Sequence, residues 1–338
     1  MAPDDVRSVV QTALLAPSVH NTQPWLFRAG SDAGADADAD ADWIDVLADR
    51  TRQLDTQDPL GRELLISCGA AVAHAVLAVR GLGRSCRVEV LPDAGTGGTD
   101  APERIARLHV GDAEPATDSE RALLDAARQR HTDRSAFVPD PVPDELVDRL
   151  RRAAAGDGVH LVAETRSDAV LDIEVLASGA DRIAREDAGL VRDVADWVRP
   201  GEQPTEGVPL DALPHHGRGR GSSLTLRDFD PDSVVDEESA PPAAEHPLLL
   251  VLCTDSDRQH DWVAAGAALG RLLLAATAEG LVANPQTQVL ELPAPRLQLR
   301  NRLGLSSWPQ VLLRAGFPTG PGSPRSGRRS VDEVLLSS

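Results

Sequence analysis

The chain has 338 residues, 41% hydrophobic and 26% charged, enough to bury one large core or two smaller ones. Its formal net charge of −19, from 53 acidic and 34 basic residues, argues against a nucleic-acid or anionic-membrane partner, because those require a basic face. Every basic residue is an arginine, so any phosphate must be held by guanidinium forks, backbone N–H groups or hydroxyls.

Apolar side chains at Val6, Val9, Val10, Ala13 and Leu14 predict a helix over 4–15. It stops at APSVHNTQPW (16–25), which sets a hydroxyl, a histidine and two amides beside a tryptophan. WIDVLA (43–48) reads as a strand. Residues 59–80 read as a long helix, with Asp58-Pro59 as N-cap and first residue and Gly81 as the stop. Strands follow at 86–91 and 105–110. The acidic run GSDAGADADADAD (30–42) lacks the glycine and distal glutamate of a calcium loop and reads as a solvated surface loop.

A second unit begins near 118, dividing the chain into halves 1–117 and 118–338. Helices are predicted at 118–130, 143–154 and 167–187, with a strand at 159–164. Residues 200–247, rich in proline, glycine and charge, read as a lid, a binding loop or an insert. A strand (248–254), a helix (259–279, closed by Gly280), a short helix (293–302) and a strand (309–316) complete the pattern. No strand–GxGxxG–helix occurs, which excludes a Rossmann dinucleotide site.

Several residue types carry only bland readings. Cys68, Cys86 and Cys253 share no close spacing, so neither a disulfide framework nor a zinc site is predicted. His215-His216 has no partner ligand at suitable spacing, and His74 lies on an apolar helix and reads as core. No Gly-x-Ser-x-Gly elbow is present. With no apolar run near the roughly 20 residues of a membrane span, and no signal-peptide pattern at MAPDDVRS, the expected location is the cytoplasm.

Three stretches carry the chemistry. In 16–25, Ser18 and Asn21 can cap local backbone while Trp25 fills core. In RHTDRSAF (130–137), Arg130, Thr132 and Arg134 recur at i, i+2 and i+4 and can converge on one anion, although surface ion pairing gives the same pattern. PRSGRRS (324–330) adds a basic cluster near the C-terminus.

Together these stretches resemble the nitroreductase-like FMN flavoproteins, over most of the chain. DRTRQLDTQDPLGRELLISCGAA (49–71) and WPQVLLRAG (308–316) are similar to the Acg-like branch. The resemblance implies an α+β fold of two tandem halves forming an intrachain pseudo-dimer, each a mainly antiparallel sheet flanked by helices. It implies one intact FMN site. Pro17, Ser18 and Asn21 match the flavin-ring loop, His20 stands where that family often has a small polar residue, Gln23 matches the loop's ending, and Arg130, Thr132 and Arg134 match the phosphate segment. Arg328 and Arg329 match the C-terminal basic pair, with Arg325 competing for that register. Thr287 and Gln288, in ANPQTQ (283–288), match the segment near flavin N5. Arg50 and Arg52 rival the phosphate segment, with salt bridging to nearby aspartates as their other reading.

The implied activity is ping-pong two-electron transfer from NAD(P)H through FMN to a small electron-poor acceptor, a nitroaromatic or quinone, with no catalytic side chain. The alternative is an FMN-storage protein whose 200–247 segment covers the flavin. A monomer with an internal pseudo-dimer is expected, with a homodimer also open.

Overall fold

The computed structural model describes residues 1–31, 42–90, 103–156, 158–200, 204–212, 247–320, 323 and 325–337. The acidic run's centre, His215-His216 and most of 200–247 lie outside the described residues.

The first half runs α1 (Pro3–Ala13), β1 (Trp25–Gly30), β2 (Trp43–Ala48), α2 (Arg62–Gly81), β3 (Arg84–Val90) and β4 (Glu103–Ala113). Its strands form an antiparallel sheet in the order β1-β2-β4-β3. After α3 (Asp118–Gln129) come α4 (Asp144–Ala154), β5 (Val159–Glu164), α5 (Ser167–Glu186), α6 (Ala188–Ala195), β6 (Val198–Arg199) and β7 (Val208–Pro209). Then follow β8 (Leu248–Thr254), α7 (Gln259–Ala278), β9 (Val282–Pro285), α8 (Gln288–Glu291), α9 (Pro293–Arg302), β10 (Trp308–Gly316) and α10 (Val331–Val334).

The second sheet, also antiparallel, has the order β5-β8-β10-β9. Helix, two strands, long helix and two strands therefore repeat with the same strand order once α5, α6, the separate β6–β7 pair, α8 and α9 are set aside. The fold is α+β.

The repeat extends to the packing of the long helices. Both α2 and α7 have 20 residues. Gly69 and Gly266 hold the same place in each. A methyl on Gly69 would collide with the Val263 carbonyl, and one on Gly266 with the Ile66 carbonyl. Each clash mirrors the other, since Ile66 and Val263 also hold matching places. Glycine is needed here for close backbone approach rather than for an unusual φ. Contrary to the expectation that no run comes near a membrane span, each helix is long and apolar enough to cross a membrane by composition, and in the fold both are core helices, 83% and 61% buried over those windows.

Several boundaries differ from expectation. Helix α2 starts at Arg62 rather than at Pro59, after Gly61 at φ +74°. Asp58 still serves it from outside, accepting from the Leu64 N–H at 2.9 Å. Strands β1 and β9 were not predicted: each is short, and pairing with β2 or β10 makes it a strand.

Candidate functional site

The APSVHNTQPW loop lies against α2. The Ser18 hydroxyl accepts from the Gln23 N–H at 3.0 Å, and the Val19 N–H donates to the Ser67 hydroxyl at 3.2 Å. His20, Asn21 and Gln23 all adopt positive φ, at 44°, 55° and 48°. Left-handed backbone at three non-glycine positions is costly and persists only where the surroundings over-determine it. Trp25 is fully buried and anchors the loop from the core.

The arginine segment follows α3 and is stitched to the second sheet. Thr132 bridges Ala283, and the Asp133 N–H donates to the Ala283 carbonyl at 3.1 Å. The Asp133 carboxylate accepts from Ser135 N–H and from Ser323 N–H and hydroxyl.

These pieces enclose a cavity of about 370 Å³, within the range of small-ligand sites. Pro17, Ser18, His20, Asn21, Arg130, Thr132, Arg134, Thr287, Gln288 and Arg328 all line it. Gln23 and Arg329 do not. They bond each other instead, the Arg329 N–H donating to Gln23 Oε1 at 2.9 Å, and Arg329 also lies 3.8 Å from the Asp49 carboxylate. Arg325 and Arg128 line the wall as well, with Arg325 donating to the Arg128 carbonyl.

One end of the cavity is strongly cationic. Arg130 is 8% exposed, and among the described residues its side chain has no hydrogen-bond or ion-pair partner, with Nε fully buried. Among the described residues Arg328 donates only to the carbonyls of Ser326 and Gly327, and its Nε is likewise buried without a partner. Burial, reinforced by Arg328 and Arg325, lowers the Arg130 guanidinium to about 9. Burial lowers Arg134 and Arg328 to about 10. Buried charges are normally paired, so Arg130 and Arg328, converging without a described carboxylate against either, can hold a bound anion, while Arg134 also has the Asp133 carboxylate near it. Arg50 and Arg52 differ: they pair with Glu103 and Glu206.

The other walls were harder to foresee. Helix α2 contributes Glu63, Ile66 and Ser67, while Leu269 and Val311 add apolar surface from the second half. Glu63 is buried and paired with Arg62, whose guanidinium reaches the Gln310 carbonyl at 2.7 Å and the Leu290 carbonyl at 3.1 Å. In α2 as observed it is an acidic residue of the first turn, a favourable place against the helix dipole. His74, on the same helix, is fully buried; burial lowers it to about 3, with Arg130 and Arg328 adding to the shift. Glu63 lies about three turns before His74 on α2, roughly 16 Å at 1.5 Å per residue.

A strap formed by residues 204–209 closes one side. The Asn21 amide donates to the Gly207 carbonyl at 3.0 Å and to Gly327 at 3.3 Å, and the Gln23 amide donates to Thr205 at 2.7 Å. Gly327 N–H donates to the Pro204 carbonyl, and Val208 lines the cavity. The Asn21 amide hydrogens are thus engaged by backbone carbonyls.

A family model, described as the nitroreductase family, matches residues 127–320. A Mycobacterium tuberculosis (strain H37Rv) protein named "Putative NAD(P)H nitroreductase" is 30% identical over 338 residues, covering 98% of this chain and 91% of its own length. A second from the same strain, "Putative NAD(P)H nitroreductase acg", is 28% identical over 337 residues, covering 98% and 95%. A crystal structure of a Bacteroides fragilis nitroreductase with bound FMN aligns at 14% identity and TM-score 0.41, covering 64% of this chain and 98% of that one. On the family match and the near-complete alignment with these relatives, the chain belongs to the nitroreductase family.

Proposed function

We propose that this protein is an FMN-dependent oxidoreductase of the nitroreductase type, its two halves forming an internal dimer-like body around one flavin site. The observation that carries this reading is the buried Arg130 beside Arg328, with no described carboxylate against either. A phosphate monoester satisfies both at once. FMN fits the rest of the cavity in kind, with a phosphate for the arginines and a flat ring for the apolar and amide-bearing walls. When bound, it supplies two-electron transfer between NAD(P)H and a small electron-poor acceptor.

The chain's own residues bind, orient and exclude water. Arg130, Arg134 and Arg328, with the Thr132 hydroxyl, clasp the anionic end. The 17–21 loop and segment 286–288 wall the ring end from the two halves, and Ile66, Leu269 and Val311 keep it apolar. The test is an absorption spectrum of the purified protein and a titration of FMN into the flavin-free form. A colourless protein that takes up no FMN refutes the reading.

Flavin storage with little turnover is a second reading, favoured by the strap. Its bonds to Asn21, Gln23 and Gly327 hold Val208 in the cavity wall, which narrows access for nicotinamide. Anaerobic addition of NADPH separates the two readings: prompt bleaching supports the oxidoreductase, and persistent yellow colour supports storage.

A further inference from the structure

Arg314 belongs to none of the stretches that suggested the site, and it does not line the cavity. It lies on β10, between Leu249 of β8 and Asn284 of β9 in the register, and is completely buried. A charged side chain in the middle of a sheet is expensive unless it is richly bonded. Its Nη2 donates to the Ser135 carbonyl at 2.5 Å and to the Arg134 carbonyl at 3.2 Å. The guanidinium also lies 4.4 Å from the Phe137 ring centre, a cation–π distance.

The neighbourhood is built to keep that arrangement. Gly316, two residues along β10, leaves space for Phe137: a methyl there would sit 2.7 Å from the ring. The Val138 N–H donates to the Phe317 carbonyl at 3.0 Å, and the Arg134 N–H donates to the Ser323 hydroxyl at 2.9 Å. The peptide units that Arg314 grips therefore belong to the residue that sends a guanidinium into the cavity and to the residue after it.

We propose that Arg314 is a positioning residue for the anion grip: it fixes the 134–135 peptides so that Arg134, Thr132 and Arg130 present their side chains to a phosphate. The proposal rests on the FMN reading above. Nη2 alone reaches both carbonyls, so a lysine ammonium could keep those bonds but not the planar guanidinium laid against the Phe137 ring.

Comparing FMN with riboflavin isolates the effect, because the two ligands differ only in the phosphate. Fluorescence titration of flavin-free wild type, Arg314→Met and Arg314→Lys gives both affinities. Arg314→Met is expected to weaken FMN at least tenfold while changing riboflavin less than twofold, with Arg314→Lys intermediate. An unchanged FMN-to-riboflavin ratio overturns the proposal, as does an equal loss for both ligands, since that marks a purely structural role. If Arg314→Met fails to fold, Phe137→Leu loosens the same clamp, and the same ratio decides. A wild-type protein that shows no preference for FMN over riboflavin overturns the phosphate reading itself, and this proposal with it.

Discussion

Replacing Arg130 with methionine separates stability from ligand binding with opposite signs. Arg130 is protonated at neutral pH, yet burial and the neighbouring arginines bring it down to about 9. Each tenfold change in acidity is worth about 1.4 kcal/mol, so holding this charge costs the ligand-free fold up to ~5 kcal/mol. Methionine removes the charge and keeps most of the stem's packing, for a net gain of roughly 1–3 kcal/mol after relaxation. In a chain of this size that is a rise of about 1–4 °C in melting temperature.

A base whose folded value is lowered costs stability below that value, and the cost fades as pH rises through it. The stability gap between variant and wild type should therefore be full at pH 7 and narrow as pH climbs past about 9. Toward FMN the sign inverts. Losing one charge-assisted contact of about 1.5–3 kcal/mol weakens binding on the order of 10- to 150-fold. Thermal melts of both proteins, with and without FMN, read the two effects together. Without ligand the variant should melt higher, and at FMN concentrations saturating only the wild type the order should cross. A ligand-free variant melting below wild type, with unchanged FMN affinity, refutes the argument that Arg130 is a buried cation reserved for an anion.

Three further outcomes follow from individual contacts. Gly266→Val should destabilise the chain by about 1–3 kcal/mol in urea unfolding, because any side chain there meets the Ile66 carbonyl of the facing helix. His74 is held neutral, its folded value about 3 against an ordinary 6.5, so stability should fall as pH drops from about 6.5 toward 3 as the unfolded chain takes up the proton. His74→Gln should flatten that acid limb in denaturation measured between pH 7 and 4. Gln23→Ala should weaken FMN binding several-fold in a fluorescence titration, although Gln23 does not line the cavity, because its amide moors both the strap and the backbone beside Arg328.

Much of the architecture is written in local patterns. The long helices announce themselves through apolar runs and stop signals, and β8, with seven consecutive buried residues, has a composition that suits a central strand. The stretches 17–23, 130–134 and 325–329 stand out because they crowd polar and cationic groups where neither a helix nor a strand needs them. The start of α2 departs from its local signal: Asp58-Pro59 is a good helix opening, whereas the chain spends another turn at Gly61 before the helix begins. The C-terminal register was also beyond local reading: adjacent arginines are chemically alike, and only folding turns Arg328 toward the cavity and Arg329 toward Gln23.

By itself the amino-acid order determined which groups were available: no lysine, an arginine-threonine-arginine segment, an amide-rich loop and two long apolar helices. Tertiary structure decided which of them meet. Charge pairing shows the difference, since Arg50 and Arg130 sit in similar local contexts, yet folding brings a carboxylate to the first and leaves the second buried without a described one. The energy of a buried charge depends on what the rest of the chain places within a few ångströms of it, and that is a property of the fold rather than of neighbours in sequence.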